Sequence, residues 1–178
     1  PAVEGLGACT VIATDKTGTL TVNQLTAKRL WMPDHGVIEI SGEGLATEGS
    51  FVAFDAEREG QGHAIRQLSR SATLTNEAEF EPQSLTANGD AVDIAFLVLA
   101  AKATIPIAEI RQSTPRLVDL PFSSERKLSA SLNQHEDEHR LHVKGAPEIV
   151  LPLCAGIDID AVMAQADDMA GAGYRVVA

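Results

Sequence analysis

Asp15 stands where a short apolar, β-branched run, Thr10-Val11-Ile12-Ala13-Thr14, comes to an end. Such a run reads as a buried strand that delivers an acidic residue at its C-terminal end, the edge at which open α/β sheets place their chemistry. Lys16, Thr17, Gly18, Thr19, Leu20 and Thr21 follow directly. Lys16 adds a positive charge beside the carboxylate. Gly18 and the small hydroxyl residues Thr17 and Thr19 let backbone amides come close to an anion. This set suits covalent phosphoryl transfer, in which a carboxylate attacks phosphorus, Mg²⁺ neutralises the oxygens and backbone donors hold the spread charge.

Other chemistries find less support. The cysteines Cys9 and Cys154 are far apart and outside any Cys-x-x-Cys spacing, so neither a disulfide framework nor a zinc site is suggested. The histidines 35, 63, 135, 139 and 142 are scattered, and only His135 and His139 have a ligand-like spacing, within a polar turn where that spacing does not count. Gly42, Gly44 and Gly49 miss the dinucleotide spacing, and no Gly-x-x-x-x-Gly-Lys-Ser/Thr loop exists. A net charge of −11 repels a phosphate-rich polymer, so no nucleic-acid partner is expected. No stretch approaches the roughly 20 apolar residues needed to cross a bilayer. The 178 residues with 44% hydrophobic side chains predict one soluble globular unit in a reducing setting.

The elements that would position these groups can be placed coarsely. A strand is expected at Val37 to Ile40 and a helix from Ala64 to Leu74. A second helix runs to Lys102 from Asp90, which with Asp93 resembles a capping box. After Pro115 the pattern turns to strands at Arg116 to Leu120, Lys127 to Leu132 and Arg140 to Lys144, the last two joined by the polar run Asn133 to Glu138. Pro147 opens a helical turn, Asp158 to Ala170 forms a further helix ended by Gly171 and Gly173, and Tyr174 to Ala178 reads as a final strand. The fold class expected is α+β, an antiparallel sheet flanked by helices.

The unbroken run Asp15-Lys16-Thr17-Gly18-Thr19-Leu20-Thr21, followed by Val22 and Asn23, resembles the phosphorylation motif of P-type cation-transporting ATPases. Lys144-Gly145-Ala146-Pro147-Glu148 is similar to an element of that family's nucleotide-binding domain, and Phe122-Ser123-Ser124-Glu125-Arg126-Lys127 to another. The resemblance implies that Phe122 stacks on adenine, that Lys127 reaches towards the nucleotide, and that Lys144 lies at the adenosine pocket with Gly145 permitting close approach. The physics agrees, since an aromatic face offers a purine a platform and two lysines offer phosphates charge. Asn88-Gly89-Asp90-Ala91-Val92-Asp93 looks like the family's Gly-Asp-Pro-Thr-Glu element, whose acidic end approaches the adenine amino group. Ala91, Val92 and Asp93 replace Pro, Thr and Glu here, so Asp93 is read either as that contact or as a helix cap. Arg175, in Gly173-Tyr174-Arg175, resembles the family's Gly-x-Arg near the phosphates.

By the same resemblance Asp15, Lys16 and Thr17 are catalytic, and Asp15 and Thr17 hold Mg²⁺ in a full-length parent. Residues 1–23 would be a stub of the phosphorylation domain, and residues 24–178 a nucleotide-binding domain cut short before its last strand. The cofactors implied are ATP and Mg²⁺. The partners implied are the remaining phosphorylation, actuator and transmembrane domains of the parent, this chain being a cytoplasmic domain of an integral membrane protein. The motifs Thr-Gly-Asp and Gly-Asp-Gly-x-Asn-Asp, which complete the family's Mg²⁺ site, do not occur in the chain, so it is expected to be inactive by itself. No histidine precedes a proline, unlike the heavy-metal branch, and the calcium-pump branch fits best. Two other readings are a phosphatase of the haloacid-dehalogenase type using Asp15, and an interaction module without a ligand. The phosphatase is disfavoured because such enzymes carry an acid/base Asp two places after the nucleophile, where this chain has Thr17.

Overall fold

The computed structural model describes residues 10–11, 24–53 and 59–178. Asp15, Lys16 and Thr17 lie outside the described residues; of the buried strand expected before them only Thr10 and Val11 are described, and both are exposed and outside any strand. Three small antiparallel sheets and five α-helices make up the rest, an α+β architecture as expected, although the sheet is divided. β1 (Arg29–Met32), β2 (Gly36–Ile40) and β3 (Phe51–Ala53) form a meander; β4 (Glu79–Glu81) pairs with β5 (Thr86–Asn88); β6 (Arg116–Ser123), β7 (Leu128–His135) and β8 (Glu138–Gly145) form the third sheet. The helices are α1 (Gln61–Leu74), α2 (Ala91–Lys102), α3 (Ile107–Ser113), α4 (Pro147–Val150), which runs into a 3₁₀ turn at Leu151–Leu153, and α5 (Ile159–Gly171).

The core lies between the first sheet and the first two helices. Leu30, Ile38 and Ile40 pack with Ile65 of α1, Leu99 of α2 and Ala103 just beyond it. α2 has buried side chains along most of its length, from Ala95 through Leu97, Val98, Leu99 and Ala100, as a helix apolar on all sides must. Fully burying a Leu or Ile contributes about 1.5–3 kcal/mol each. At its C-terminal end Lys102 donates to the carbonyls of Ser41 and Gly42, at 2.7 and 3.2 Å. Its apolar stem is thereby buried, while the ammonium holds the glycine-rich loop after β2 and sits at the negative end of the helix. No single helix among the described residues is long and apolar enough to cross a membrane, and α2 with α3 reaches that length only across a 102° bend.

The third sheet turns a polar face to the helices. Ser131 Oγ donates to the carbonyl of Leu74 at the end of α1, 2.9 Å away, and to Asn133 Oδ1 at 2.8 Å. Arg116 Nη2 donates to the same Leu74 carbonyl and to that of Asn76. These donors satisfy carbonyls that the helix end leaves without partners. Because alternate strand residues share a face and His142 pairs opposite Ser131, with Lys144 opposite Ser129, Lys144 and His142 lie on this helix-facing side.

Several boundaries differ from the sequence expectation. α1 starts at Gln61, after Gly60 in a left-handed conformation at φ 77. The β7–β8 turn occupies only Glu136 and Asp137, since His135 pairs with Glu138. The polar run therefore stays in the ladder, and Asn133 can be buried there because its Nδ2 donates to the Thr114 carbonyl at 3.2 Å. Half of the expected capping box forms. Asp90 Oδ1 accepts from Val92 N at 2.8 Å, but the Asp93 carboxylate is turned elsewhere. Tyr174 to Ala178 is not a strand. Only its last residue pairs with the sheet, exchanging both backbone hydrogen bonds with Gly145 at 2.9 Å.

Candidate functional site

Three of the motifs converge at one end of the third sheet. The turn between β6 and β7 is the Phe122–Lys127 segment, closed by Lys127 N donating to the Ser123 carbonyl at 2.7 Å and by Arg126 Nη2 donating to the Pro121 carbonyl at 3.0 Å. β8 ends at Gly145, directly over Lys127. A Cβ on Gly145 would lie 2.5 Å from the Lys127 carbonyl oxygen and 2.8 Å from Leu128 Cα, so only glycine allows the two segments to cross. Ala146 N then donates to that same Lys127 carbonyl at 2.9 Å. Pro147 takes the first position of α4, where a missing N–H costs nothing.

Two lysines stand at this junction in different surroundings. Lys144 reaches from β8 to α2, where it forms an ion pair with Asp93 Oδ1, the two side chains only 13% and 14% exposed. Asp93 Oδ2 accepts from Glu77 N at 3.1 Å, and the Lys144 ammonium lies 5.8 Å from the centroid of the Phe96 ring. Asp93 thus ties α2 to both β8 and the loop after α1. Lys127 instead donates to Glu148 Oε1 at 3.0 Å, both side chains about half exposed. The Glu148 carboxyl is held below its ordinary range by a hydrogen bond from its own backbone amide and then by Lys127.

Beside Lys144 opens a largely apolar cavity of about 600 Å³ whose wall includes Val92, Phe96, Val143, Lys144, Tyr174 and Arg175. Tyr174 is in turn covered by the Arg29 guanidinium, 5.0 Å from its ring centroid. The structure therefore brings Lys144 and Asp93 into contact, sets Gly145 against Lys127, and puts Arg175 on the same cavity as Lys144. Phe122 and Lys127 are not on that wall; they stand on the neighbouring turn, with Phe122 59% exposed. Phe96 and the ion-pair role of Glu148 were not read from the sequence. A signal existed for each: Phe96 is three residues after Asp93, on the same face of the helix, and Glu148 belongs to the Lys144–Glu148 element itself.

Comparison with known proteins bears on this geometry. The family model described as P-type ATPase, cytoplasmic domain N, matches residues 64–178. Calcium-transporting ATPase 1 of Lactococcus lactis is 32% identical over 160 residues, covering 90% of this chain and 16% of the relative. The probable cation-transporting ATPase F of Mycobacterium bovis is 37% identical, covering 86% of this chain and 17% of the relative. The sodium/potassium-transporting ATPase subunit alpha-4 of Rattus norvegicus is 37% identical, covering 86% and 15%. The chain belongs to the P-type cation-transporting ATPases and contains their cytoplasmic domain N. It spans about a sixth of the length of these relatives.

Proposed function

We propose that this chain binds ATP on behalf of a membrane cation pump in which Asp15 receives the γ-phosphate. Residues 24–178 supply the nucleotide site and residues 1–23 the nucleophile motif. The carrying observation is the junction at which the Phe122–Lys127 turn and the Lys144–Glu148 element touch, with Lys144 locked on Asp93 and Arg175 on the adjoining cavity. Phe122 offers the purine its exposed face, Lys127 and Arg175 offer the phosphates charge, and Asp93 with Lys144 sets the polar edge facing the base. In the whole protein an Asp15 oxygen bonds to the γ-phosphorus as the bond to the β–γ bridging oxygen breaks, and ADP leaves. Mg²⁺ bound by Asp15 and Thr17 would neutralise the phosphate oxygens there; the oxygen donors of both residues suit this hard cation.

The domain works on the cytoplasmic side of a membrane, beside phosphorylation, actuator and transmembrane domains of its parent. The relatives' names join calcium, sodium/potassium and unspecified cations, so the support for calcium is the Lactococcus lactis relative and the motif pattern. Titration of the protein with ATP, followed by calorimetry or NMR, tests the site. Binding is expected to be weak and independent of Mg²⁺. Lys144→Ala lowers affinity at least about tenfold, or about 1.4 kcal/mol. Unchanged affinity in both Lys127→Ala and Lys144→Ala would place the site elsewhere.

A further inference from the structure

We propose that Glu148 is a built-in competitor for the nucleotide's phosphates: its carboxylate holds the Lys127 ammonium in the free domain and must be displaced when ATP binds. The proposal rests on the reading of Lys127 as a nucleotide ligand and adds the regulation of that contact. The pair joins elements 21 residues apart in sequence, Lys127 Nζ donating to Glu148 Oε1 at 3.0 Å. Its backbone is pinned on both sides. Lys127 has φ 54, a left-handed conformation that is strained for a side-chain-bearing residue. Lys127 N donates to Ser123 O at 2.7 Å, and its own carbonyl accepts from Ala146 N at 2.9 Å. Glu148 lies in the first turn of α4 behind Pro147, with its carboxylate drawn to its own amide. The ion pair therefore needs no loop to be ordered first.

The same pair is easily broken. Its side chains are 54% and 50% exposed, so water replaces each lost contact, and such exposed pairs are weak. The contrast with Lys144 assigns the two lysines different parts. Lys144 is shut between Asp93 and the Phe96 ring, and Asp93 is also bonded to Glu77 N, so that pair is framework. Lys127 is the exchangeable charge. A carboxylate there sets a threshold: a ligand without phosphates never engages Lys127 and meets no competitor, whereas a phosphate that reaches Lys127 must displace the one carboxylate and feels its repulsion, which grows with the phosphate charge.

Calorimetry of the protein with adenosine, AMP, ADP and ATP tests the proposal. Glu148→Gln keeps the shape and removes the charge; it is expected to tighten ATP binding about two- to fivefold, with a smaller gain for AMP and none for adenosine. Glu148→Ala should reproduce the gain, and in a Lys127→Ala background Glu148→Gln should lose most of it. Unchanged or weakened ATP binding in Glu148→Gln, with Lys127→Ala still impairing the wild-type site, would overturn the competitor role and leave the site standing. A gain equal for adenosine and ATP would also overturn it, since the effect would then not act through phosphate. Loss of ATP binding in the wild-type protein, or indifference to Lys127→Ala, would instead overturn the nucleotide site and the competitor with it.

Discussion

Burial separates residues of the same type in this domain. Lys144 and Lys127 carry the same charge, yet one is sealed against Asp93 and the other is half in water. His142 shows the same dependence. Its Nδ1 lies 3.1 Å from Ser71 Oγ of α1, and its Nε2 is sealed from solvent with no hydrogen-bond partner among the described residues. Burial first, then Arg70, Arg140 and His135, push its pKa below the ordinary 6.5. The folded state therefore prefers the neutral ring and the unfolded chain takes up the proton first. Stability from this group is complete above pH 6.5 and is lost as pH falls below it, through the lowered folded-state value. Urea denaturation on either side of that pH should show the decline, and His142→Gln should flatten it. An unchanged slope in the variant would remove His142 as the cause.

Among the elements, the crossing of β8 over the β6–β7 turn is the least tolerant contact at the site. Gly145→Ala would set a methyl 2.5 Å from a backbone oxygen and 2.8 Å from Leu128, neither of which is the free end of a flexible side chain. The strands must separate, at a cost of about 1–3 kcal/mol. For a domain of this size that is a fall in Tm of about 2–4 °C per kcal/mol. ATP affinity should fall with it, because Lys127 and Lys144 lose their shared support. Thermal melting and titration of the variant measure both. A melting temperature equal to the wild type would mean that the crossing is looser than described.

At the scale of the whole molecule, the motifs for a nucleotide site and a nucleophile in one chain are not expected to suffice for phosphoryl transfer. Phosphoryl transfer depends on in-line placement of the γ-phosphate against the carboxylate with Mg²⁺ between. The Thr-Gly-Asp and Gly-Asp-Gly-x-Asn-Asp motifs of the family are absent from these 178 residues. A net charge of −11 further opposes approach of a triphosphate to Asp15. Incubation with γ-labelled ATP followed by acid quench is expected to trap no label, and Asp15→Asn should alter neither binding nor background phosphate release. Stoichiometric acid-stable labelling that disappears in Asp15→Asn would make the chain a self-sufficient phosphoryl acceptor.

The family and the α+β class were legible in the sequence because they rest on contiguous residues. Asp15 to Thr21, Phe122 to Lys127 and Lys144 to Glu148 keep their meaning whatever the chain does between them. α2 was equally legible, since Asp90 caps it locally and its apolar length demands burial. Strand limits were less so: Asn133 reads as turn in sequence and becomes ladder only because Thr114 supplies a distant carbonyl. β1, β3, β4, β5 and α3 escaped the sequence reading, four of them being strands of three or four residues, too short for a periodicity to show. What only the tertiary structure decided is pairing. Asp93 is 51 residues from Lys144 and reads locally as a cap; the fold brings the β8 lysine to its carboxylate instead. Lys127 meets Glu148 because Gly145 lets two backbones cross. Local sequence specifies which groups are available and how each segment begins and ends, whereas the partner that a charge finds depends on chain segments brought together by burial of the core.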